Sequence, residues 1–335
     1  MFPIDRVQII EGKVWITEFI LIKDFEKSKN ICFNDLKSFI NNLSIIDKEK
    51  CMFLLKLKNQ VVNIIFYDSY KINFLLIQKN LRLQELTYKI YNFEEMSNWL
   101  RKYNNFNRLE KSNSKQLGSA KQSNADNYLN EILKKIYNDY SLYDDGGIEV
   151  TKELLKGDVT RAVDFDLFQY IKSTNSCVIY ELLKRENQYI SNIEAHPMRY
   201  SWCNNRKDNR QKYISLWEYA KIFKAKLYLI NYSDDLNEKV SILEVIDLDK
   251  NLGIRAERKY CMSYNTFIGW LKDMKLYNEK DTQYLKDFRY KEYDSKYFDN
   301  FISNKKNYGK DFYKENIKEK EAIQDAKYME LKHNS

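Results

Sequence analysis

The order of helical and strand-like patterns between residues 126 and 250 constrains the fold of this chain most strongly. Apolar side chains recur at helical spacing in residues 128–140 and 211–223, whereas strand-length runs occupy 159–170, 176–183, 226–231 and 240–246. The order helix, two strands, helix, two strands is typical of an α/β domain with a mixed central sheet flanked by helices. We expect its strand–helix–strand segment to form a right-handed crossover.

The sequence before residue 126 predicts a separate, small α+β domain and a linker. Residues 1–105 contain strand-like runs at 13–22, 52–57, 61–67 and 72–77, and helical patterns at 33–42 and 93–103. Residues 106–125 are polar and lack periodicity, which is typical of a linker. The α/β domain then spans residues 126–275, and residues 276–335 form a charged tail that is helical or partly disordered. No internal repeat is evident in the sequence.

The composition excludes several classes of protein. The chain has 335 residues, of which 44% are hydrophobic, but no apolar run reaches the roughly 20 residues of a membrane helix. Its first residues lack the basic and apolar layout of a signal peptide, so we expect a soluble, cytoplasmic protein. Five scattered cysteines and two histidines do not cluster as a zinc site or pair as a disulfide framework, and we expect reduced thiols.

The net charge of +8 favours nucleic acid as a partner, because Lys and Arg neutralise phosphates. Lys, Asn, Ile and Tyr are all abundant, whereas Gly (8) and Pro (2) are scarce. That bias is typical of an AT-rich coding sequence, which raises the lysine content throughout a protein. The charge alone is therefore weak support for nucleic-acid binding.

Two carboxylates on neighbouring strand-like segments are the strongest indication of chemistry. Asp166 lies within VDFDLFQY, and Glu181 lies within CVIYELLKRE. The polar residues 173–176 between them predict a turn that joins the two strands into a hairpin. Such a hairpin would bring the carboxylates side by side, where a hard cation such as Mg²⁺ finds the oxygen ligands it prefers. The ion would activate a water molecule and stabilise charge on a phosphate.

These residues and the order of elements around them resemble the PD-(D/E)XK nuclease superfamily, which has a restriction-endonuclease-like fold. The resemblance covers residues of about 126–250. It implies a Mg²⁺-dependent enzyme, with Mn²⁺ as a substitute, in which Asp166 and Glu181 bind the metal ion. It further implies the backbone carbonyl of Leu182 as a third ligand and Glu131, on the preceding helix, as another acid. Phe165 stands where the family has proline.

The position of the lysine departs from the family pattern. The family has a lysine two residues after the Glu, whereas here Lys184 follows Glu181 by three positions. Side chains alternate between the two faces of a strand, so Lys184 points away from Glu181 unless a bulge intervenes. The resemblance also implies a Gln or Lys from the next helix, where Gln211 and Lys212 lie. Lys184 and Lys212 therefore both remain candidates for the catalytic ammonium.

A structural explanation of the same acidic residues stays open. Asp164 and Asp166 would then form the wet face of an amphipathic strand, and Glu181 would be an exposed residue of an edge strand. A D…E…K pattern arises by chance in a chain with 31% charged residues. The ordered elements around the pattern, rather than its letters, favour the nuclease interpretation.

A basic and aromatic segment between the Glu strand and the next helix is the candidate nucleic-acid-binding element. Basic side chains can hold phosphates while aromatic rings stack on bases. Its candidate residues are Arg199, Tyr200, Trp202, Arg206, Lys207 and Arg210. The alternative is a solvated loop whose rings pack into the core. His196 in this segment is more typical of a structural hydrogen bond than of a general base.

The sequence thus predicts an endonuclease that hydrolyses phosphodiester bonds, in DNA rather than RNA by analogy with the family, in restriction or genome defence. Residues 1–105 would recognise a target or partner, and a homodimer would suit cleavage of both strands. The competing prediction is a non-catalytic nucleic-acid-binding or interaction protein with a degenerate nuclease fold, which the displaced lysine favours. A purely structural scaffold is the third.

Overall fold

A computed structural model gives thirteen strands and eight helices among the residues it describes. These are residues 1–79, 85–104, 115–116, 125–140, 147–156, 159–160, 162–171, 175–185, 187, 190, 210–235, 239–251, 253–277, 284–285 and 289–292. The chain divides into two compact units, Met1–Phe168 and Gln169–Ser335. None of the described helices combines the length and the apolar character of a membrane span.

The first unit is built on a mixed sheet. In spatial order its strands are β8 (Val163–Ile171), β1 (Phe2–Ile10), β2 (Lys13–Leu21), β3 (Val61–Tyr67), β4 (Asn73–Lys79) and β5 (Leu86–Asn92). A short separate pair consists of β6 (Lys115–Gln116) and β7 (Val159–Thr160). Its helices are α1 (Phe25–Asn34), α2 (Leu36–Asn41), α3 (Ile45–Leu54), α4 (Phe93–Asn104), α5 (Ala125–Tyr137) and α6 (Gly147–Leu155).

Strand connections in this unit follow from local sequence. Glu11 and Gly12 both have positive φ, which permits the tight turn that joins β1 and β2 as an antiparallel pair. Strands β2 and β3 are parallel, and a parallel pair needs a crossover, which α1, α2 and α3 provide. Strands β3, β4 and β5 form an antiparallel meander, after which α4 begins directly.

One face of this sheet packs against α4 and α6. Phe19 of β2 and Phe74 of β4 belong to a buried apolar cluster that also contains Leu100 of α4 and Leu154 of α6. Adjacent residues of a strand point to opposite faces, so Glu18, next to Phe19, faces away from this cluster. The opposite face of the sheet carries α3, which packs against β1.

The second unit repeats this mixture of parallel and antiparallel pairs. Its strands, in spatial order, are β9 (Ser176–Lys184), β10 (Ala225–Tyr232), β11 (Lys239–Asp249), β12 (Gly253–Ser263) and β13 (Arg289–Glu292). Helix α7 (Arg210–Phe223) lies between β9 and β10, which are parallel, and α8 (Tyr264–Tyr277) begins directly after β12. Strands β10, β11 and β12 are antiparallel neighbours.

The predicted fold class, a mixed sheet flanked by helices in an α+β arrangement, is confirmed. The prediction of a strand at 52–57 is wrong, because α3 extends to Leu54. Ser44 caps this helix by accepting a hydrogen bond from the amide of Asp47, and Ile46, Lys50 and Leu54 follow at helical spacing as its buried residues. The sequence prediction also missed β1, β5, β12 and α6.

The compact units divide at a different place from the predicted domains. Strand β8 contributes residues up to Phe168 to the first unit, because Val163, Phe165 and Phe168 pair with β1. Helix α5, assigned above to the nuclease-like domain, also lies in the first unit. Most of the predicted linker lies outside the described residues, as does the C-terminal tail beyond Glu292.

Candidate active site

A buried carboxylate and a lysine meet in the second unit. Glu181 is the sixth residue of β9, and Lys212 is the third residue of α7. Lys212 Nζ lies 2.7 Å from Glu181 Oε1, and the two side chains are 14% and 5% exposed. A buried charge needs an opposite charge or hydrogen bonds to be tolerated, and each group supplies this for the other.

Strand alternation and helix packing produce this meeting. Helix α7 packs against β9 and β10. Tyr180, which precedes Glu181, packs edge-on against Trp270 of α8 and therefore points to the opposite face of the sheet. The side chain of Glu181 is thereby directed toward α7, at whose first turn Lys212 lies.

The pair has polar neighbours that hold the end of β9. The backbone amide of Arg185 donates to the Tyr232 carbonyl at 2.8 Å, and its Nε donates to Asn231 Oδ1 at 3.2 Å. The hydroxyl of Tyr213 hydrogen-bonds to Arg185. Burial raises the pKa of Tyr213 to about 12, the Arg185 charge opposes this rise, and the Glu181 carboxylate adds to it. Tyr213 and Arg185 are therefore polar neighbours of the Glu181–Lys212 pair, and hydrogen bonds hold Arg185 in place.

Arg185 and Tyr213 were missed by the sequence argument. Arg185 follows Lys184 directly, and the available signal was a basic residue at the end of the strand that carries Glu181. Tyr213 follows Lys212, but in a chain with 27 tyrosines its type carries little information.

The structure separates the two candidate lysines. Lys184 has the same alternation as Tyr180, so it points to the face of the sheet opposite Glu181. Its Nζ lies 2.5 Å from Asp234 Oδ2, with the Asp234 side chain largely exposed. Of the two, Lys212 is the one that contacts Glu181.

The remaining predicted metal ligands lie as follows. Asp166 is the fourth residue of β8 and half-buried, in the part of that strand that belongs to the first unit. Leu182 is buried and in register with Ile230 of β10. Glu131 lies on α5, is 51% exposed and forms an ion pair of 3.1 Å with Lys134.

The predicted nucleic-acid-binding segment is only partly described. Arg210 begins α7, and its guanidinium donates to the Lys250 carbonyl at 2.7 Å. Gln211 follows it and is half-buried. The other predicted binding residues, Arg199, Tyr200, Trp202, Arg206 and Lys207, lie outside the described residues, as does His196.

Taken singly, the predicted ligands are of the types that Mg²⁺ prefers, namely carboxylates at Asp166 and Glu181 and a backbone carbonyl at Leu182. Within the described ranges, no group of three or more His, Cys, Asp and Glu side chains is placed to hold a metal ion. Mg²⁺ retains several water ligands and is often bound by one or two protein carboxylates, so a three-residue cluster is not required for it.

Comparison of the chain with family models, with curated proteins and with solved structures finds no match.

Proposed function

We propose that the protein is a Mg²⁺-dependent nuclease that hydrolyses phosphodiester bonds in DNA, with Glu181 and Lys212 in its catalytic machinery. The observation that carries the proposal is the 2.7 Å contact between Lys212 Nζ and Glu181 Oε1. It joins an acid on a central strand to a lysine on the helix that follows it. The sequence argument adds Asp166 on the preceding strand as the second carboxylate.

Each residue has a distinct role in this proposal. A bound Mg²⁺ ion would supply an activated water and charge stabilisation at the scissile phosphate. Glu181 and Asp166 would hold the ion, and Lys212 would orient the attacking water and stabilise negative charge on the phosphate. Arg185 and Tyr213 act as positioning residues, because they fix the end of β9 through Asn231 and Tyr232.

DNA binding would rest on the basic segment before α7 and on the net charge of +8. Phosphate contacts by Lys and Arg make affinity strongly dependent on salt. RNA is the alternative substrate, and cleavage of both strands would suit a homodimer. Restriction or genome defence is the biological role we propose for such an enzyme.

A plasmid-nicking assay with Mg²⁺ or Mn²⁺ tests this proposal, with wild type compared against Asp166→Ala and Glu181→Gln. We expect the wild type to nick supercoiled DNA and both variants to lose that activity while they keep their fold by circular dichroism. A wild type that leaves every DNA and RNA form intact with either metal contradicts the enzyme. Cleavage that persists in Asp166→Ala shows that the site is misplaced.

A second candidate function is non-catalytic nucleic-acid binding by a degenerate nuclease fold. The observation that favours it is the burial of Glu181, whose side chain is 5% exposed beneath α7 and already neutralised by Lys212. Such a protein would bind DNA with a steep salt dependence and leave it uncut under every metal condition. The same assay, with a filter-binding measurement beside it, separates the two candidates.

A further inference from the structure

The two units have the same strand connectivity. In the first, β1 and β2 are neighbours, helices α1 to α3 cross over to a parallel β3, and β4 and β5 continue as a meander before α4. In the second, the end of β8 and β9 are neighbours, α7 crosses over to a parallel β10, and β11 and β12 continue as a meander before α8. Both units therefore show the order ββαβββα, with the first α replaced by three helices in the first unit.

The first unit contains an acid–lysine pair at the same place in this order. Glu18 is the sixth residue of β2, as Glu181 is of β9. Lys50 lies on α3, the last crossover helix, and follows Glu18 by 32 residues. Lys212 lies on the crossover helix α7 at almost the same distance after Glu181. Lys50 Nζ lies 2.5 Å from Glu18 Oε1.

The other positions of the site also correspond. Asp5 is the fourth residue of β1, as Asp166 is the fourth residue of β8. Phe19, next to Glu18, packs toward α4, just as Tyr180, next to Glu181, packs toward α8. An acid on the second strand and a lysine on the crossover helix thus recur in both units, and the strand before each acid carries a further acid at its fourth position.

The cluster in the first unit is closed. The side chains of Glu18 and Lys50 are 0% and 1% exposed. The Asp5 carboxylate accepts the amide of Phe19 at 2.8 Å, and the Asp5 amide donates to Glu18 Oε2 at 3.1 Å. Each carboxylate therefore accepts a backbone amide of the other residue's strand. The Lys50 ammonium supplies the positive charge that the buried Glu18 requires.

Helix α6 covers Asp5 from outside the cluster. Gly147, its first residue, approaches so closely that a Cβ built there would overlap the Asp5 carboxylate. Asp5 is held by its bond from Phe19, so the overlap would not be relieved by a small rotation. The close approach requires glycine at this position.

We infer that the first unit is a second copy of the module that carries Glu181, and that Glu18 and Lys50, with Asp5 beside them, are a sealed structural counterpart of the Glu181–Lys212 pair. The Lys50 ammonium is the permanent cation of the sealed copy, and Gly147 of α6 packs closely against Asp5 beside it. In this inference the first unit is a structural, non-catalytic counterpart of the module rather than an unrelated recognition domain. The stability consequences hold whether or not the second unit cleaves DNA.

A double-variant cycle on the full chain tests the sealed pair. Lys50→Met should lower the urea midpoint strongly, because it leaves Glu18 buried without a cation, and Glu18→Leu/Lys50→Met should recover most of the loss. The double variant should also keep the DNA cleavage and DNA binding of the wild type, whereas Glu181→Leu/Lys212→Met should lose cleavage.

Two outcomes overturn the inference. One is a Lys50→Met midpoint equal to that of the wild type, and the other is a folded Glu18→Leu/Lys50→Met variant that has lost function. If the wild type neither cleaves nor binds DNA, the proposed function fails while the urea midpoints still decide the sealed pair.

Gly147→Ala tests the seal. Alanine normally stabilises a helix relative to glycine, so Gly269→Ala in α8, where a Cβ would meet Tyr284 only at ordinary contact distance, should raise the midpoint. Gly147→Ala should lower it, and should lower it less in an Asp5→Ala background. A Gly147→Ala variant that is stabilised in both backgrounds overturns the seal.

Discussion

Buried charge pairs dominate the chemistry of this protein at the scale of single residues. Glu18–Lys50 and Glu181–Lys212 are buried, whereas Lys184–Asp234 lies at the surface. Removing one partner of a buried pair costs about 3–5 kcal/mol, while an exposed pair contributes about 0–1 kcal/mol. The same Lys→Met substitution therefore has very different effects at Lys50 and at Lys184.

Tyr213 should make the stability of the folded protein depend on pH in the alkaline range. Burial raises the pKa of Tyr213 to about 12, above the ~10 of an exposed tyrosine. The folded state thus holds this proton more tightly, and the stability it contributes is complete below about pH 10 and is lost as the pH rises toward about 12. Tyr213→Phe should lose stability less steeply over this range than the wild type. Urea titrations at several pH values measure this, with exposed Tyr70→Phe as the control.

The cysteines should differ in reactivity. Burial raises the pKa of the Cys32 and Cys177 thiols to about 12, and both side chains are buried. Cys261 is exposed. Because the thiolate is the reactive form, a thiol reagent should modify Cys261 in the folded protein and reach Cys32 and Cys177 only after unfolding. Mass spectrometry of the labelled peptides checks this, and early labelling of Cys177 would contradict the packing of β9.

At the scale of elements, helix α3 shows why part of the fold was predictable and part was not. The residues at 52–57 are mostly apolar, which favours a strand. Ser44 and Asp47, however, begin a helix upstream of them that extends to Leu54. Strand β12 was missed because Arg255, Glu257 and Arg258 break its apolar pattern, and pairing with β11 stabilises it instead. The runs that form β3, β9 and β10 are mostly apolar, and these strands were predicted nearly to the residue.

The cap of α3 should contribute measurably to stability, because this helix carries Lys50. Ser44 accepts from the Asp47 amide at 3.2 Å and donates to its carboxylate at 2.6 Å. Ser44→Ala removes both bonds and should lower the free energy of unfolding by about 1 kcal/mol. Ser28→Ala in the interior of α1 is the matched control, and equal urea midpoints for the two variants would show that the cap contributes nothing.

At the scale of the whole molecule, the recurrence of ββαβββα was invisible in the sequence. Glu181 was a candidate from the order of elements around it, but the equivalent Glu18 lies in a region whose crossover contains three helices instead of one. The partner of Glu181 depended on which helix packs on its face. Strand alternation disfavoured Lys184 but left both Lys184 and Lys212 open as candidates. Pairing between distant segments, rather than local pattern, decides both features.

If basic side chains of the segment before α7 bind phosphates, the affinity for DNA should fall steeply as the salt concentration rises. Each phosphate contact adds about 0.9 to the slope of log affinity against log salt concentration on duplex DNA. Neutralising Arg206 and Lys207 together should reduce that slope by about 2, whereas Lys13→Gln/Lys23→Gln in the first unit should leave it unchanged. Filter binding over a salt series measures both, and equal slopes for all variants would contradict the proposed interface.

The central claim is that Lys212, paired with Glu181, completes a catalytic site. Single-turnover cleavage of supercoiled plasmid with Mg²⁺ by Lys212→Met and Lys184→Met tests it most directly. Loss of a preorganised charge at a reacting phosphate costs on the order of 10²–10³ in rate, so Lys212→Met should fall by that factor and Lys184→Met should stay close to the wild type. Cleavage by Lys212→Met at the wild-type rate, or a loss confined to Lys184→Met, would contradict the account.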